Sequence, residues 1–439
     1  MYLDLNRGSQ TPAARGCSLD SSGPGDGGRF VPLSHGYAER MMTPTGPWRR
    51  TAAGAGLLRA DGTTAPTIFA EMSALAARSG AINLGQGFPD EDGPVEVLTA
   101  AHEAIAAGLN QYPPGRGVPD LLHAIARHQH RFYGMAVDPE TEVLVTAGAT
   151  EALAASILAL TEPGDEVVVF EPFYDAYAGL VALAGARLVP VPLRWPDFRP
   201  DPDDLRKAVG DRTRVIIIND PHNPTGTTFD RETRELLIEL AHRHDAFLLT
   251  DEVYEHLTFE KPHTPIASMP GGRERTVTVS SGGKTFNTTG WKVGWLTAPP
   301  EVVTAILTVK QFLTYVNASP FQPAIARGLD LGEEVFDGIA RELEARRDIL
   351  VGGLRTAGFD VSVPDGSYFV VADARPLGFA DARELCLALP RLAGVVAVPV
   401  SAFVGETNRS DYASLVRFAF CKRRPVLDAA ASGLRRLAG

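Results

Sequence analysis

Cysteine is nearly missing from this sequence. Its three copies, Cys17, Cys386 and Cys421, are far apart and odd in number. Neither a disulfide framework nor a zinc spacing can be drawn from them, which fits a reducing, cytoplasmic setting. Long apolar runs are missing too. No stretch reaches the roughly 20 residues that a helix needs to span a bilayer. The opening MYLDLNRGSQ lacks the basic and apolar regions of a secretory signal. Positive charge is in deficit, with 42 Lys and Arg against 53 Asp and Glu, a formal −11. That excludes a general nucleic-acid or membrane-surface binder, which depends on clustered basic charge. No His/Cys/Glu spacing suggests a metal, and no Ser-His-Asp order suggests a hydrolase, so no metal is expected. Lysine is the scarcest informative residue: only six of the 42 basic residues are lysine and 36 are arginine. Yet Lys284 and Lys292 lie eight positions apart in SSGGKTFNTTGWKVGW. Solvated charge has no need of lysine in particular. A reaction that uses a primary amine does, because a guanidinium stays protonated.

What is present suggests two lobes. The chain of 439 residues is longer than one small core usually fills, and its 44% hydrophobic content is ordinary for a globular protein. Residues 1 to about 55 are rich in Gly, Ser, Pro and Asp without helical or strand period, so they are predicted to be mostly disordered. Met41 and Met42 stand where an alternative start could lie. Order is predicted from APTIFAEMSALAARSG, with Pro66 in a first helical turn, Ile68, Met72 and Leu75 on one face and Gly80 closing the helix. Strand-length apolar runs follow at EVLVTAG, DEVVVFEP, RVIIIND, AFLLTDE and RTVTVSS. Helical patterns such as TEALAASILALT and RETRELLIELAHRHD separate them. This alternation predicts a mainly parallel α/β sheet. The last hundred residues differ: a helix over about 334–357, then YFVVAD, GVVAVPV and LVRFAFC, predict a smaller α+β lobe.

Open α/β sheets bind ligands beyond the carboxyl ends of their strands. There the sequence places Gly148-Ala149-Thr150, Glu171-Pro172-Phe173-Tyr174, NDPHNPTG, Asp251 followed by Tyr254, and Ser280-Ser281-Gly282-Gly283-Lys284. General polarity of strand ends does not account for an acid, a phenol, an amide and an amine in this order.

The stretches NLGQGFPD, NQYPPG, EPFYDAY, PHNPTG, TDEVYEHL, KTFNTTGWKVGW and VRFAF resemble the class I/II aminotransferases of the pyridoxal-phosphate fold type I group. Within that group they are most similar to the branch holding kynurenine and glutamine aminotransferases and the actinobacterial succinyldiaminopimelate aminotransferases. The similarity runs from about residue 65 to the C-terminus. Each motif alone is moderately specific; the ordered set is highly so.

The resemblance implies a role for each site residue. Lys284 is the amine that condenses with pyridoxal 5'-phosphate and then carries a proton. Asp251 sits beside the pyridine nitrogen and keeps it protonated; its competing reading is a helix N-cap. Tyr254 and Asn223 bond the cofactor's phenolic oxygen, and Asn223 also suits a turn. Tyr174 stacks on the ring, with Phe173 as its core-packing rival. Gly148, Ala149 and Thr150, at a strand–helix junction, hold the phosphate with Ser281 and Lys292. The apolar neighbours Trp291, Val293 and Trp295 suggest a semi-buried Lys292. Tyr112 reaches the phosphate of a neighbouring subunit, which implies a homodimer with shared sites. Arg417 holds the substrate α-carboxylate with its planar fork, alongside Asn223, and Gly87 lets backbone approach the substrate.

The expected fold is therefore a large cofactor-binding domain over 101–330 with a mainly parallel, seven-stranded type of sheet between helices. An N-terminal arm and part of the small domain occupy 56–100, and the small α+β domain 331–439. The expected reaction moves an amino group between an amino acid and a 2-oxo acid, with glutamate and 2-oxoglutarate as one pair. N-succinyl-L,L-diaminopimelate is the favoured other substrate, on KQFLTYVNASPFQPA and the EDGP after GQGFPD. A kynurenine- or glutamine-type specificity, a cysteine-conjugate β-lyase and a secondary-metabolism aminotransferase stay open. A non-catalytic regulator is disfavoured, because Lys284 is present and no helix-turn-helix pattern precedes it.

Overall fold

The computed structural model describes residues 46–438. Most of the tail predicted as disordered, with Cys17, Met41 and Met42, lies outside the described residues. Its predicted end is too late, however. Trp48–Gly54 form a helix, α1, with Ala52 buried. Two contacts hold it: Arg50 donates to the carbonyls of Ala182 (2.7 Å) and Leu183 (3.0 Å), and Gly54 lies so close that a Cβ would meet that of Ala182 at 2.3 Å. Helix α2 spans Ile68–Ser79. It opens two residues after Pro66, because the Thr67 hydroxyl accepts from the Ala70 N–H and caps it. Gly80 closes it in the left-handed region at φ 68°. Helices α3 (Val95–Ala106) and α4 (Pro119–Tyr133) follow.

A short strand β1, Ile82–Asn83, precedes those two helices. The large sheet then takes β2 Val143–Ala147, β3 Glu166–Glu171, β4 Arg187–Arg194, β5 Arg199–Pro200, β6 Thr213–Asn219, β7 Phe247–Asp251, β8 Thr276–Ser281 and β9 Val293–Thr297. Their spatial order is β2-β9-β8-β7-β6-β3-β4-β5. Seven strands carry the expected sheet, and the two-residue β5 adds an edge. The β3–β4, β3–β6, β6–β7 and β7–β8 pairs are parallel, while β9 runs antiparallel to both β2 and β8. Alternation along the strands buries both faces. Val167 and Val169 of β3 join Val215 and Ile217 of β6 on one side, and Val168 and Phe170 join Ile216 and Ile218 on the other. Helix α5, Gly148–Leu160, starts at the carboxyl end of β2, and α6, Ala176–Ala184, lies after β3.

The C-terminal part opens with the helix Glu333–Thr356, within a residue of the sequence reading. Strands β10 Asp360–Ser362, β11 Phe369–Asp373, β13 Val398–Pro399 and β14 Leu415–Ala419 form an antiparallel sheet in the order β10-β11-β14-β13. Between them β12, Val395–Val396, pairs in parallel with β1, so the segment before α3 packs with the C-terminal strands. Among the described residues no helix is long and apolar enough to cross a membrane. Cys386 and Cys421 are free and buried.

Candidate active site

Because β2, β3, β6, β7 and β8 share one direction, Ala147, Glu171, Asn219, Asp251 and Ser281 end on one edge of the sheet. The antiparallel β9 brings its own start to that edge: Val293 faces Ala147 and Gly294 faces Ser281. Lys292, just before β9, so arrives from the opposite direction. Gly294 makes room, since a Cβ there would stand 2.5 Å from the Gly148 carbonyl carbon and 2.7 Å from the Ala149 nitrogen.

At this edge a cavity of about 260 Å³ is lined by Gly87, Gly148, Ala149, Thr150, Tyr174, Asn223, Asp251, Tyr254, Ser281, Lys284, Lys292 and Arg417. These are twelve of the thirteen site residues expected from the sequence. Tyr112 is the exception. It is 82% exposed, away from the cavity of its own chain, with its ring 5.8 Å from that of Tyr315.

One end of the cavity suits an anion. Gly148 opens the 13-residue α5 at φ 73°, a conformation that favours glycine, and no side chain caps the helix. Its first N–H groups and the helix dipole are thus left for a ligand. The Lys292 side chain lies against Gly148, with Nζ 3.1 Å from where a Cβ would be. Among the described residues no carboxylate lies within ion-pair range of it. Burial, then the Lys284 charge, lowers its pKa. Lys292 sits at the rim: its side chain is exposed in the single chain, yet enough protein surrounds the amine for burial to act on it. Its apolar neighbours pack elsewhere: Trp291 stacks on Phe321 at 4.7 Å, and Trp295 lies in the core.

Asp251 lies in the centre. No helix starts after it, so it is not a cap. Tyr177 donates to its Oδ2 at 2.7 Å, while Oδ1 is buried with no partner. Burial raises its pKa to about 6, against the Tyr177 hydrogen bond, the Val253 backbone N–H and the Lys284 charge. A buried carboxylate with one open oxygen is a place for a cationic N–H. Tyr174 lines the cavity with its ring edge-on to Tyr177 at 5.7 Å, whereas Phe173 packs into the core. Lys284 sits on the short turn of helix Gly282–Thr285 beyond β8, and its Nζ donates to the Tyr368 hydroxyl at 3.1 Å. The Tyr254 ring centroid is 5.8 Å from the same Nζ.

The other end suits a carboxylate. Arg417, on β14, is 1% exposed. It donates through Nη1 to Asn223 Oδ1 (3.0 Å) and through Nη2 to the Gly85 carbonyl (2.6 Å), and its Nε is buried without a partner. Three rings surround the guanidinium, those of Phe369, Phe403 and Phe69, with centroids 4.1, 4.8 and 5.2 Å from Cζ. Burial lowers its pKa to about 10. Among the described residues no carboxylate pairs with it, so a buried cation is held by neutral acceptors and aromatic faces. Asn223 spends its oxygen on Arg417 and keeps its NH₂ for a ligand. Gly87 is tightly enclosed by the protein itself: a Cβ would fall 2.4 Å from Phe369 Cζ and 2.7 Å from Tyr368 Cε2.

Sequence reasoning missed Tyr177, Phe69, Phe369 and Tyr368. Tyr177 had a signal, since it follows Tyr174 by three in EPFYDAY, one helical turn away. Phe69 had none, because its contact with Arg417 joins distant parts of the chain. Two more lysines have interior duties: Lys310, 1% exposed, donates to the carbonyls of Gly115 (2.9 Å) and Tyr315 (2.7 Å), and Lys422 donates to that of Phe88 (2.6 Å). A buried group that no sequence spacing announces also lies behind β8. The ligand atoms of His128, Glu255 and His256 fall within 4.8 Å of one another, and the two imidazole Nε2 atoms are 2.6 Å apart in a hydrogen bond.

Known proteins resemble this chain over most of its length. The chain is 51% identical over 383 residues to the probable N-succinyldiaminopimelate aminotransferase of Mycobacterium tuberculosis, covering 85% of this chain and 96% of that one. It is 40% identical over 372 residues to the methionine aminotransferase of Escherichia coli, with 84% and 96% covered. The solved structure of the M. tuberculosis N-succinyldiaminopimelate aminotransferase superposes with a TM-score of 0.82 at 52% identity, over 85% of this chain and 98% of that one. The family described as aminotransferase class I and II matches residues 79–431. The chain therefore belongs to the class I and II aminotransferases, with their fold type I architecture.

Proposed function

We propose that this aminotransferase works with pyridoxal 5'-phosphate in the cavity, and that its amino-acid substrate is N-succinyl-L,L-diaminopimelate with 2-oxoglutarate as acceptor. The observation that carries the cofactor reading is the unpartnered, buried Oδ1 of Asp251 between an uncapped helix N-terminus and an amine. The N–H groups of Gly148, Ala149 and Thr150, with Ser281 and Lys292, would hold the phosphate. Asp251 would face the ring nitrogen, Tyr174 would cover the ring, and Asn223 and Tyr254 would meet its phenolic oxygen. When bound, the cofactor supplies an aldehyde and an electron-withdrawing ring.

The chain's own residues do the rest. Arg417 binds the α-carboxylate, offering its unpaired Nε and a positive charge with no carboxylate in ion-pair contact, Asp175 acting on it only from a distance. That fixes the orientation of the substrate Cα. Lys284 would accept the substrate Cα proton on its Nζ and hold it there as an ammonium until it is given up again in the second half of the transfer. Phe69, Phe369 and Phe403 keep water from the guanidinium.

The succinylated substrate rests on the relative at 51% identity and on the KQFLTYVNASPFQPA and EDGP stretches. The second subunit rests on Tyr112. It does not line its own cavity, and it stands exposed with its ring against that of Tyr315, itself 42% exposed. A homodimer in the cytoplasm is the corresponding assembly.

One experiment tests the reading in two steps. Borohydride reduction of purified protein with pyridoxal 5'-phosphate, followed by peptide mapping, should place the modification on Lys284. A donor panel with 2-oxoglutarate should then give the highest kcat/KM for N-succinyl-L,L-diaminopimelate over methionine and kynurenine. Modification of another lysine sinks the cofactor assignment, and preference for methionine sinks the substrate.

A further inference from the structure

Lys284 does not reach into open space. Its Nζ donates to the hydroxyl of Tyr368, 3.1 Å away, and Tyr368 is 1% exposed at the start of β11. The same hydroxyl donates to the Gly87 carbonyl at 2.5 Å. A phenol has one proton to give. With that proton spent on Gly87, the oxygen can only accept, and it does so from Lys284 and from the Tyr254 hydroxyl. It holds one N–H of the amine and cannot cover the nitrogen lone pair. The arrangement depends on Gly87 being glycine, because a Cβ would collide with the Tyr368 and Phe369 rings. Lys284 and Tyr368 also line a second cavity of about 400 Å³, beside Cys421 and Arg346. Without the phenol oxygen the amine has a second space into which it can swing.

We propose that Tyr368 is the holding station of the Lys284 amine: it positions the amine toward the reaction cavity with its lone pair free. This rests on the reading of Lys284 as the reacting amine. In the step concerned, the amine nitrogen bonds to an aldehyde carbon. The carbonyl oxygen leaves as water with the two amine protons. Tyr368 exchanges no proton in the balance; it sets how often the nitrogen points at the carbon.

The test compares two ligands on cofactor-free protein. Pyridoxal 5'-phosphate is captured by the amine; pyridoxamine 5'-phosphate fills the same space but has no aldehyde. Tyr368→Phe should slow stopped-flow capture of the aldehyde by about tenfold, the effect of one hydrogen bond. Its affinity for pyridoxamine 5'-phosphate, read by fluorescence, should stay within about twofold of wild type on the same scale. Unchanged capture overturns the proposal. So does a parallel loss for both ligands, which would make Tyr368 a packing residue only. If Tyr368→Phe does not fold, 3-fluorotyrosine at position 368 keeps the ring and weakens the acceptor. Slower capture then supports the proposal, and wild-type capture overturns it. Failure of the underlying reading is seen separately, as a wild-type adduct that does not map to Lys284.

Discussion

At Asp251, function and stability pull in opposite directions. Its carboxyl ordinarily titrates near 3.8 and is raised to about 6 by burial. A raised pKa means that the folded state prefers the proton, so ionisation costs stability as pH rises from about 4 through about 6, and the cost stays constant above that. Two units correspond to on the order of 3 kcal/mol. Asp251→Asn should therefore stabilise the cofactor-free protein at pH 7 to 8. Thermal melts of both proteins should converge near pH 4 and separate between pH 4 and 6. A gap that does not change with pH would contradict the burial account. Adding pyridoxal 5'-phosphate should narrow the gap, and transamination by the variant should fall by orders of magnitude. Much at this scale was legible in the sequence. Lys284, Asp251 and Asn223 stand out because reactive residue types follow strand-length apolar runs, whereas Arg417, inside a strand, stands out only through the family resemblance of VRFAF. Tyr368 was not legible: it precedes an ordinary buried strand, and its meaning lies in a hydroxyl that meets Lys284, 84 positions earlier.

Among the elements, β9 is the least expected. Five apolar runs predicted strands of one direction, and the alternation with helices explains why that was readable. Nothing in WKVGWLT states that this strand runs backwards, since side-chain alternation is the same either way. The reversal places Lys292 beside the start of α5, and Gly294 allows the approach. Gly294→Ala would push a methyl to within 2.7 Å of the Ala149 nitrogen, one of the proposed phosphate donors. Overpacking of this kind costs about 1–3 kcal/mol. The variant should melt earlier and bind pyridoxamine 5'-phosphate about tenfold or more weakly, in proportion to that cost. Equilibrium titration checks it; wild-type affinity would mean that the α5 N-terminus does not hold the phosphate. The Lys292 environment was only partly legible for a related reason. Neighbours in sequence on a turn into a strand point to different sides, so Trp295 buries itself and Trp291 packs on Phe321 while the lysine between them stays at the rim.

For the whole molecule, the boundary of order matters. The sequence suggested that nothing before about residue 55 contributes, because Gly and Pro dominate there. Helix α1 escaped notice because seven residues are too few for an amphipathic period to register. A chain starting at residue 46 should keep wild-type melting and activity. One starting at 56 loses Ala52 burial and both Arg50 hydrogen bonds onto α6. That should cost about 1–2 kcal/mol and lower Tm by about 2–4 °C. Calorimetry of the two truncations decides, and equal melting points would show that α1 adds nothing. The economy of lysine has a practical side as well. Lys310 and Lys422 are buried, and Lys284 and Lys292 belong to the cavity. Among the lysine amines, that leaves Lys207 and Lys261 exposed at a distance from it. Amine-directed coupling to a dye or a solid support therefore has two clean attachment points among the side chains, beside the α-amino group. With the cavity filled during coupling, the protein becomes a nearly site-selective reagent for its own immobilisation.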